Sequence, residues 1–198
     1  MTARATAACA ATLVACTHAT ASITLYTQAG LYDAAAAGMN RATETFGSFT
    51  DGTYPSPLSG TAGPVAWTAT AGSGLLISSG RLSTVGGQDL LISFSAGALT
   101  VRGVSGNFFA TASGTVTAAI VTVTLNDGTA QVELVNDPGA FMGFTSSGAS
   151  ISSILVSVTA MSGTASPTLD NLDFAYIPAP GSITLLAMSL LIVRRRRR

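Results

Sequence analysis

The stretch Thr115–Val135, TVTAAIVTVTLNDGTAQVELV, decides the fold of this chain. Apolar residues alternate with polar ones along its first half, which is the period-two pattern of a half-buried β-strand. The alternation shifts by one residue between Ile120 and Val121, which indicates a β-bulge or a bend between two sheets. Asn126-Asp127-Gly128 then separates this strand from Ala130–Val135, and such a sequence between two apolar runs predicts a tight β-hairpin.

Six further runs outside this stretch are rich in Val, Ile, Leu, Thr and Phe and are bounded by Gly, Ser, Asn and Asp. Each predicts a short strand. Asp51–Pro64, with three prolines, has the composition of a loop. Together the strands predict a mainly β fold, an antiparallel β-sandwich of jelly-roll or lectin-like type. The six runs are Val65–Thr70, Leu75–Ser78, Asp89–Ser95, Ala98–Val104, Ile151–Val158 and Leu169–Tyr176.

One short helix is predicted near the N-terminal end of this body, over Gln28–Ala37, which contains a run of alanines. Thr27 is placed to cap its first turn, and Gly38 is placed to end it. We expect Leu31 and Tyr32 to pack this helix against the sheets.

The N-terminal segment has the three parts of a secretory signal peptide. Met1–Arg4 carries one positive charge, Ala5–Ala15 is small and apolar, and Ala19-Thr20-Ala21 matches the site that signal peptidase cleaves, with Ala19 and Ala21 as its small residues. Cleavage there would leave Ser22 as the first mature residue. An alternative is that Leu13-Val14-Ala15-Cys16 resembles the lipobox of bacterial lipoproteins, whose cysteine becomes acylated.

The C-terminal segment combines a proline motif, an apolar run and a basic cluster. As a helix, the 13 residues Gly181–Val193 would extend about 20 Å, against a hydrocarbon core of about 30 Å. The sequence therefore predicts a short apolar tail helix that halts export, with the arginines on the cytoplasmic side. The motif consists of Pro178, Ala179, Pro180 and Gly181, and the cluster of Arg194, Arg195, Arg196, Arg197 and Arg198.

This layout resembles the PEP-CTERM sorting tail of exported bacterial proteins. The resemblance implies recognition by an exosortase, a membrane-embedded transpeptidase, in cells that make exopolysaccharide. Ala179 replaces the acidic residue of the family's motif. The alternative is an uncleaved tail anchor. The chain thus divides into a signal peptide over 1–21, a β-sandwich domain over 22–176 and a tail over 177–198.

The body between these two segments lacks the side chains that many enzymes need. From Ser22 to Ile177 there is no Cys, His or Lys, so Ser-His-Asp and Cys-His catalysis, zinc sites built from His or Cys, and disulfides are excluded. The body carries three arginines and nine acidic residues, a net charge of −6. Such a body repels nucleic acid and is compatible with binding of divalent cations.

The body also resembles the exported domains that commonly carry this tail. The matching segments are Glu44-Thr45-Phe46, Phe141-Met142-Gly143-Phe144 and Asp170-Asn171-Leu172-Asp173-Phe174. The resemblance implies a sandwich related in shape to lectin-like and carbohydrate-binding modules, and it assigns no ligand.

Carboxylates and aromatic side chains are the candidate site residues. Glu44, Asp170 and Asp173 are candidate Ca²⁺ ligands, although regular alternation would put the two aspartates on opposite faces. The alternative for such residues is a turn-forming or solvated role. Tyr54 and Trp67 are candidates for stacking on sugar rings, with core packing as the alternative for the tryptophan.

These features predict no enzyme, because the two glutamates of the body lie in no distinctive motif for glycoside hydrolysis. The primary hypothesis is an exported protein of the cell surface or extracellular matrix, processed by signal peptidase and an exosortase and associated with exopolysaccharide. It would be anchored in the membrane by its tail before processing, and displayed or released afterwards. The alternative is a specific carbohydrate-binding module with a calcium or aromatic site.

Overall fold

A computed structural model describes residues 21–112, 115–135, 139–158 and 165–179, with the side chains of 112 and 115–117 outside this description. Within these ranges the chain forms one α-helix and fifteen β-strands. In chain order they are β1 (Ile23–Tyr26), α1 (Ala29–Ala35), β2 (Asn40–Glu44), β3 (Gly52–Tyr54), β4 (Leu58–Ala62), β5 (Val65–Thr70), β6 (Leu75–Ser78), β7 (Arg81–Thr84), β8 (Leu90–Ser95), β9 (Leu99–Ala112), β10 (Thr115–Thr117), β11 (Ala119–Leu125), β12 (Ala130–Val135), β13 (Phe141–Ser146), β14 (Ile151–Val158) and β15 (Ser166–Pro178).

The strands form two antiparallel sheets whose buried faces share one core. The nine-stranded sheet has the order β1-β13-β9-β15-β7-β6-β3, with β10 on β9 and β2 on β15, and the six-stranded sheet has the order β12-β11-β14-β8-β5-β4. Alternate residues of both sheets enter a single hydrophobic cluster, in which Phe94 and Phe174 meet edge to face at 5.1 Å. The predicted mainly β, antiparallel sandwich with one short helix is confirmed.

The stretch Thr115–Val135 passes from one sheet to the other. β10 pairs with β9 in the larger sheet, whereas β11 pairs with β12 and β14 in the smaller one. The chain crosses between the sheets at Ala118, two residues before the predicted position between Ile120 and Val121, where β11 keeps an unbroken register. The hairpin that follows is confirmed, since the Gly128 N–H donates to the Leu125 carbonyl at 3.1 Å and Gly128 has a φ of 88°.

The loop predicted over Asp51–Pro64 is wrong in part, because it contains β3 and β4. These strands are short and lie at sheet edges, where each is fixed by one partner, β3 by β6 and β4 by β5. Pro57 and Pro64 lie just outside β4, so neither removes a hydrogen-bond donor from the strand.

The helix α1 lies on the outer face of the larger sheet and reverses one expectation. Leu31 is 56% exposed, whereas Tyr32 is fully buried. Tyr32 enters a recess made by two glycines on neighbouring strands: a Cβ at Gly143 would lie 2.5 Å from its ring, and a Cβ at Gly103 would lie 2.8 Å from its hydroxyl. The helix begins after Gln28, which supplies no side-chain cap, rather than after the predicted cap Thr27.

The strand β15 contains a bulge that alters which side chains share a face. Asn171 has a φ of 54°, and the register with β9 shifts between Asp170 and Asp173. Leu172 and Phe174 therefore enter the core, while both aspartates lie on the outer face. Regular alternation, which would separate the aspartates, does not hold here because the bulge adds one residue.

In the part of the chain that the structure describes, no helix is long and apolar enough to cross a membrane. The predicted tail helix and the arginine cluster lie outside the described residues, as does the predicted signal peptide up to Thr20.

We expect Gly143→Ala to destabilise the protein by about 1–3 kcal/mol, because its methyl group would overlap the buried Tyr32 ring. Gly30→Ala is the matched control, since a Cβ there has no neighbour within 4 Å and the residue lies in α1. That control should stabilise the protein by about 0.5–1 kcal/mol. Urea unfolding of both variants measures the difference, and equal effects would contradict the packing of Tyr32 on Gly143.

Candidate functional site

Glu44, the first of the candidate calcium ligands, connects the two sheets instead. Its Oε1 accepts the Phe46 N–H at 2.7 Å, and its Oε2 accepts the Trp67 Nε1–H at 3.0 Å. Glu44 ends β2 of the larger sheet and Trp67 lies in β5 of the smaller one. Each carboxylate oxygen therefore has a buried donor, which is the condition under which a carboxylate can be held in a core.

Trp67 is a core residue, so its predicted role in sugar stacking is wrong. It is 1% exposed and packs edge to face against Phe46 at 5.5 Å and Phe49 at 6.0 Å. Its indole also covers Gly60 of β4, where a Cβ would lie 2.3 Å from the ring. A ring enclosed on these sides has no free face for a ligand.

Asp173 contributes to a polar cluster beneath α1. Its Oδ2 forms an ion pair with Arg41 Nε at 2.7 Å, although the two atoms are not aligned for a hydrogen bond. Its Oδ1 accepts a hydrogen bond from the Thr43 hydroxyl at 3.0 Å. Arg41 also pairs with Asp33 of α1 at 2.7 Å and lies over the Tyr32 ring at 5.1 Å. One guanidinium thus joins the helix to strands β2 and β15.

Burial and charge both affect ionisation in this cluster. Burial raises the pKa of Tyr32, and the neighbouring Asp173 carboxylate raises it further. Burial opposes the charge on Arg41, but Asp173 and Asp33 outweigh it and raise the pKa of the guanidinium. The Tyr32 hydroxyl has Ser105 beside it but no partner in hydrogen-bond geometry. The Arg41 guanidinium therefore stays charged, and its ion pairs with Asp33 and Asp173 hold the helix on the sheet.

The three candidate calcium ligands do not converge. Glu44 points into the core, whereas Asp173 pairs with Arg41 on the outer face, and Asp170 lies 3.5 Å from Arg81 on that same face. Each carboxylate already has a donor or a cation as its partner. Among the described residues no group of three or more Cys, His, Asp or Glu could hold a metal ion. The predicted grouping of these three residues as calcium ligands is wrong, because the fold gives each carboxylate a different partner.

Tyr54 is the candidate residue that the structure places at an open site. It lies in a groove of about 640 Å³ at the β3–β6 end of the larger sheet. Its hydroxyl donates to the Thr50 carbonyl at 2.7 Å, and its ring meets Phe49 at 5.9 Å. These contacts fix the ring at one wall. The groove is lined by Thr53, Tyr54, Pro55, Ser56, Gly72, Ser73, Gly74 and Val85.

The lining of this groove combines one aromatic face with hydroxyl groups and carries no charge. An aromatic ring and a few hydroxyls in a concave site suit an uncharged polar ligand. No carboxylate lines the groove, so acid–base hydrolysis has no residue there to perform it. Sequence reasoning identified Tyr54 but missed Ser73 and Val85, which reach the groove through the turns on either side of β6 and β7.

The chain was compared with known proteins. No protein-family model matches it, and no curated protein matches it. Among solved structures, it is similar to a mutant of CBM29-2, a family 29 carbohydrate-binding module, with a TM-score of 0.37 and 9% sequence identity. The similarity covers 64% of this chain and 90% of that module.

We expect Glu44→Gln to destabilise the protein by about 1–3 kcal/mol, because the amide nitrogen would face a buried N–H donor. Glu133→Gln on β12 is the matched control, since Glu133 is only half-buried, and we expect it to change stability by less than about 0.5 kcal/mol. Thermal unfolding with calcium and with a chelator should give the same midpoint for the natural protein. If calcium raised the midpoint of the natural protein but not that of Glu44→Gln, Glu44 would be a calcium ligand after all.

Proposed function

We propose that this protein is exported and displayed at the bacterial cell surface, where its β-sandwich associates with polysaccharide. The segments at the two ends of the sequence carry this proposal. In support, the first strand begins at Ile23, two residues beyond the proposed signal-peptidase site, and the last strand ends at Pro178, where the proposed sorting motif begins. Removal of 1–21 would take away none of the strands that the structure describes.

The first two residues of the proposed sorting motif are bonded to the larger sheet. Pro178 pairs with Leu99, and the Ala179 N–H donates to the Ala98 carbonyl at 3.0 Å. In this proposal signal peptidase removes the N-terminal segment, the apolar run and its arginines hold the chain in the membrane, and an exosortase acts on the motif. The mature body would then remain at the surface or enter the extracellular matrix.

Intact mass of the protein recovered from its native cells tests export and sorting. We expect a chain that begins at Ser22 and ends within Pro178–Gly181, with or without an added surface group. A mature chain that retains Arg198 would overturn sorting and leave a tail-anchored protein. A chain that begins at an acylated Cys16 would replace the signal-peptidase site by the lipoprotein alternative.

A neutral glycan is the ligand that the groove around Tyr54 favours. Its lining is uncharged, and the surrounding body has a net charge of −6, so an anionic polysaccharide would be repelled. The Tyr54 ring offers an apolar face for a sugar ring, and the Ser73 hydroxyl is exposed at the groove. We therefore propose binding of an uncharged polysaccharide chain at this groove, without calcium.

Affinity electrophoresis in gels that contain a neutral β-glucan tests the groove. We expect the glucan to retard the natural protein. Tyr54→Ala, which removes the stacking face, and Ser73→Trp, which blocks the groove, should each bind the glucan at least about tenfold more weakly. Ser48→Trp, at an exposed position outside the groove lining, is the matched control and should bind like the natural protein.

Two results would contradict this site. Equal retardation of all four proteins would show that the glucan binds elsewhere on the body. Retardation in an anionic polysaccharide, and not in any neutral one, would contradict the charge argument. Circular dichroism of Tyr54→Ala separates a lost site from a lost fold.

A further inference from the structure

The outer face of the six-stranded sheet has an unusual composition. Along its six strands the outward positions hold only Ser, Thr, Ala, Val, Ile and Leu, although the body as a whole has a net charge of −6. The helix α1 lies on the other sheet. Two copies of the body can therefore approach through this face without bringing charged side chains of the strands together.

The exposed aliphatic side chains concentrate at one edge of this face, on β12. Val132 is 61% exposed and Leu134 is 50% exposed. Val132 lies beside Thr122 of β11. On the far side of Thr122 lies Leu155 of β14, followed by Leu91 of β8, which is 36% exposed. An aliphatic row thus begins at the edge strand, is interrupted by Thr122 on β11 and resumes with leucines on β14 and β8.

No strand in the described part of the chain pairs with β12 on its outer side. The Leu125 N–H donates to the Thr129 carbonyl, and because hydrogen-bonded pairs alternate in an antiparallel ladder, residues 131 and 133 bond to β11. The N–H and C=O groups of Val132 and Leu134 therefore point away from the sheet. Such a row of donors and acceptors pairs with another strand.

The strands at the three other ends of the two sheet orders carry protection that β12 lacks. β3 has three residues and β1 has four, while β4 is flanked by Pro57 and Pro64. The six residues of β12 include no proline and no basic residue, and its one charged side chain, Glu133, is directed to the opposite face, where it accepts a hydrogen bond from Gln131 at 2.7 Å. Short strands, prolines and edge lysines are the usual means of preventing strand addition.

We propose that β12 is a self-association edge, at which a second copy of this chain adds its own β12 in antiparallel orientation. With Val132 on the two-fold axis, the backbone groups of residue 132 pair with their equivalents and those of residue 130 pair with those of residue 134 in the second copy. The two sheets become one continuous sheet of twelve strands. In this register Glu133 lies opposite the partner's Gln131, the amide that already pairs with it within one chain. A register shifted by one pair would oppose the two Glu133 carboxylates, which disfavours it.

This inference does not depend on the proposed glycan site, which lies in the other sheet. An interface of one short edge strand and a few aliphatic side chains falls below the size of stable complexes, about 1,200 Å². We therefore expect a dimer that forms in the micromolar range and dissociates on dilution.

Light scattering and sedimentation of the full chain in mild detergent test the proposal. We expect the natural protein to dimerise, and Val132→Lys, which would place two ammonium groups opposite each other at the axis, to weaken the dimer at least about tenfold. Thr68→Lys is the matched control, because Thr68 lies on the same face but on β5, which three other strands separate from β12. We expect it to dimerise like the natural protein.

Three outcomes would overturn strand pairing at β12. The first is a natural protein that stays monomeric throughout the micromolar range. The second is a dimer that persists in Val132→Lys, as association through the tail would give. The third is an equal loss of dimer in Val132→Lys and Thr68→Lys, as face-to-face stacking of the sheets would give. Amide exchange in the natural protein gives an independent measurement. The amides of Val132 and Leu134 should become protected as concentration rises, and unchanged exchange would also overturn the proposal.

Discussion

The sandwich depends on one buried carboxylate that joins its two sheets. Glu44 accepts a backbone N–H from Phe46 and the indole N–H of Trp67, so a single side chain satisfies donors from both sheets. A hydrophobic core brings two sheets together without fixing how they align, whereas a hydrogen-bonded carboxylate permits one alignment, because any other leaves buried polar groups unpaired. Gly60 completes this constraint, since only a residue without a side chain leaves room for the indole.

The larger sheet is arranged around a second constraint, the anchoring of α1. Tyr32 fills the recess over Gly103 and Gly143, and Arg41 joins Asp33 of the helix to Asp173 of the last strand. The bulge at Asn171 makes this possible, because it returns Asp173 to the outer face while Leu172 and Phe174 stay in the core. The segments that resemble the exported domains, Glu44–Phe46, Phe141–Phe144 and Asp170–Phe174, therefore have structural roles in this protein.

We propose functions for two surfaces, the lining of the groove and the outer face at β12, and neither presents a charged side chain although the body is negatively charged. The groove at Tyr54 lies at the end of the larger sheet, and the edge strand β12 belongs to the smaller one. Because they lie in different sheets, a polysaccharide chain and a second copy of the protein would not compete for the same residues. A dimer through β12 would carry two grooves, and two linked sites raise the apparent affinity for one long polymer.

The sequence by itself determined most strands of the core, the hairpin at Asn126–Gly128 and a change of sheet within Thr115–Val135, because these follow from period-two alternation and turn chemistry within a few residues. The tertiary structure alone decided what Glu44, Trp67, Asp170 and Asp173 do. Their partners lie on strands far away in sequence, and the faces on which the aspartates lie depend on one bulge that composition does not reveal. The exposed edge at β12 was hidden for the same reason: a strand becomes an edge only through the order in which the other strands pair.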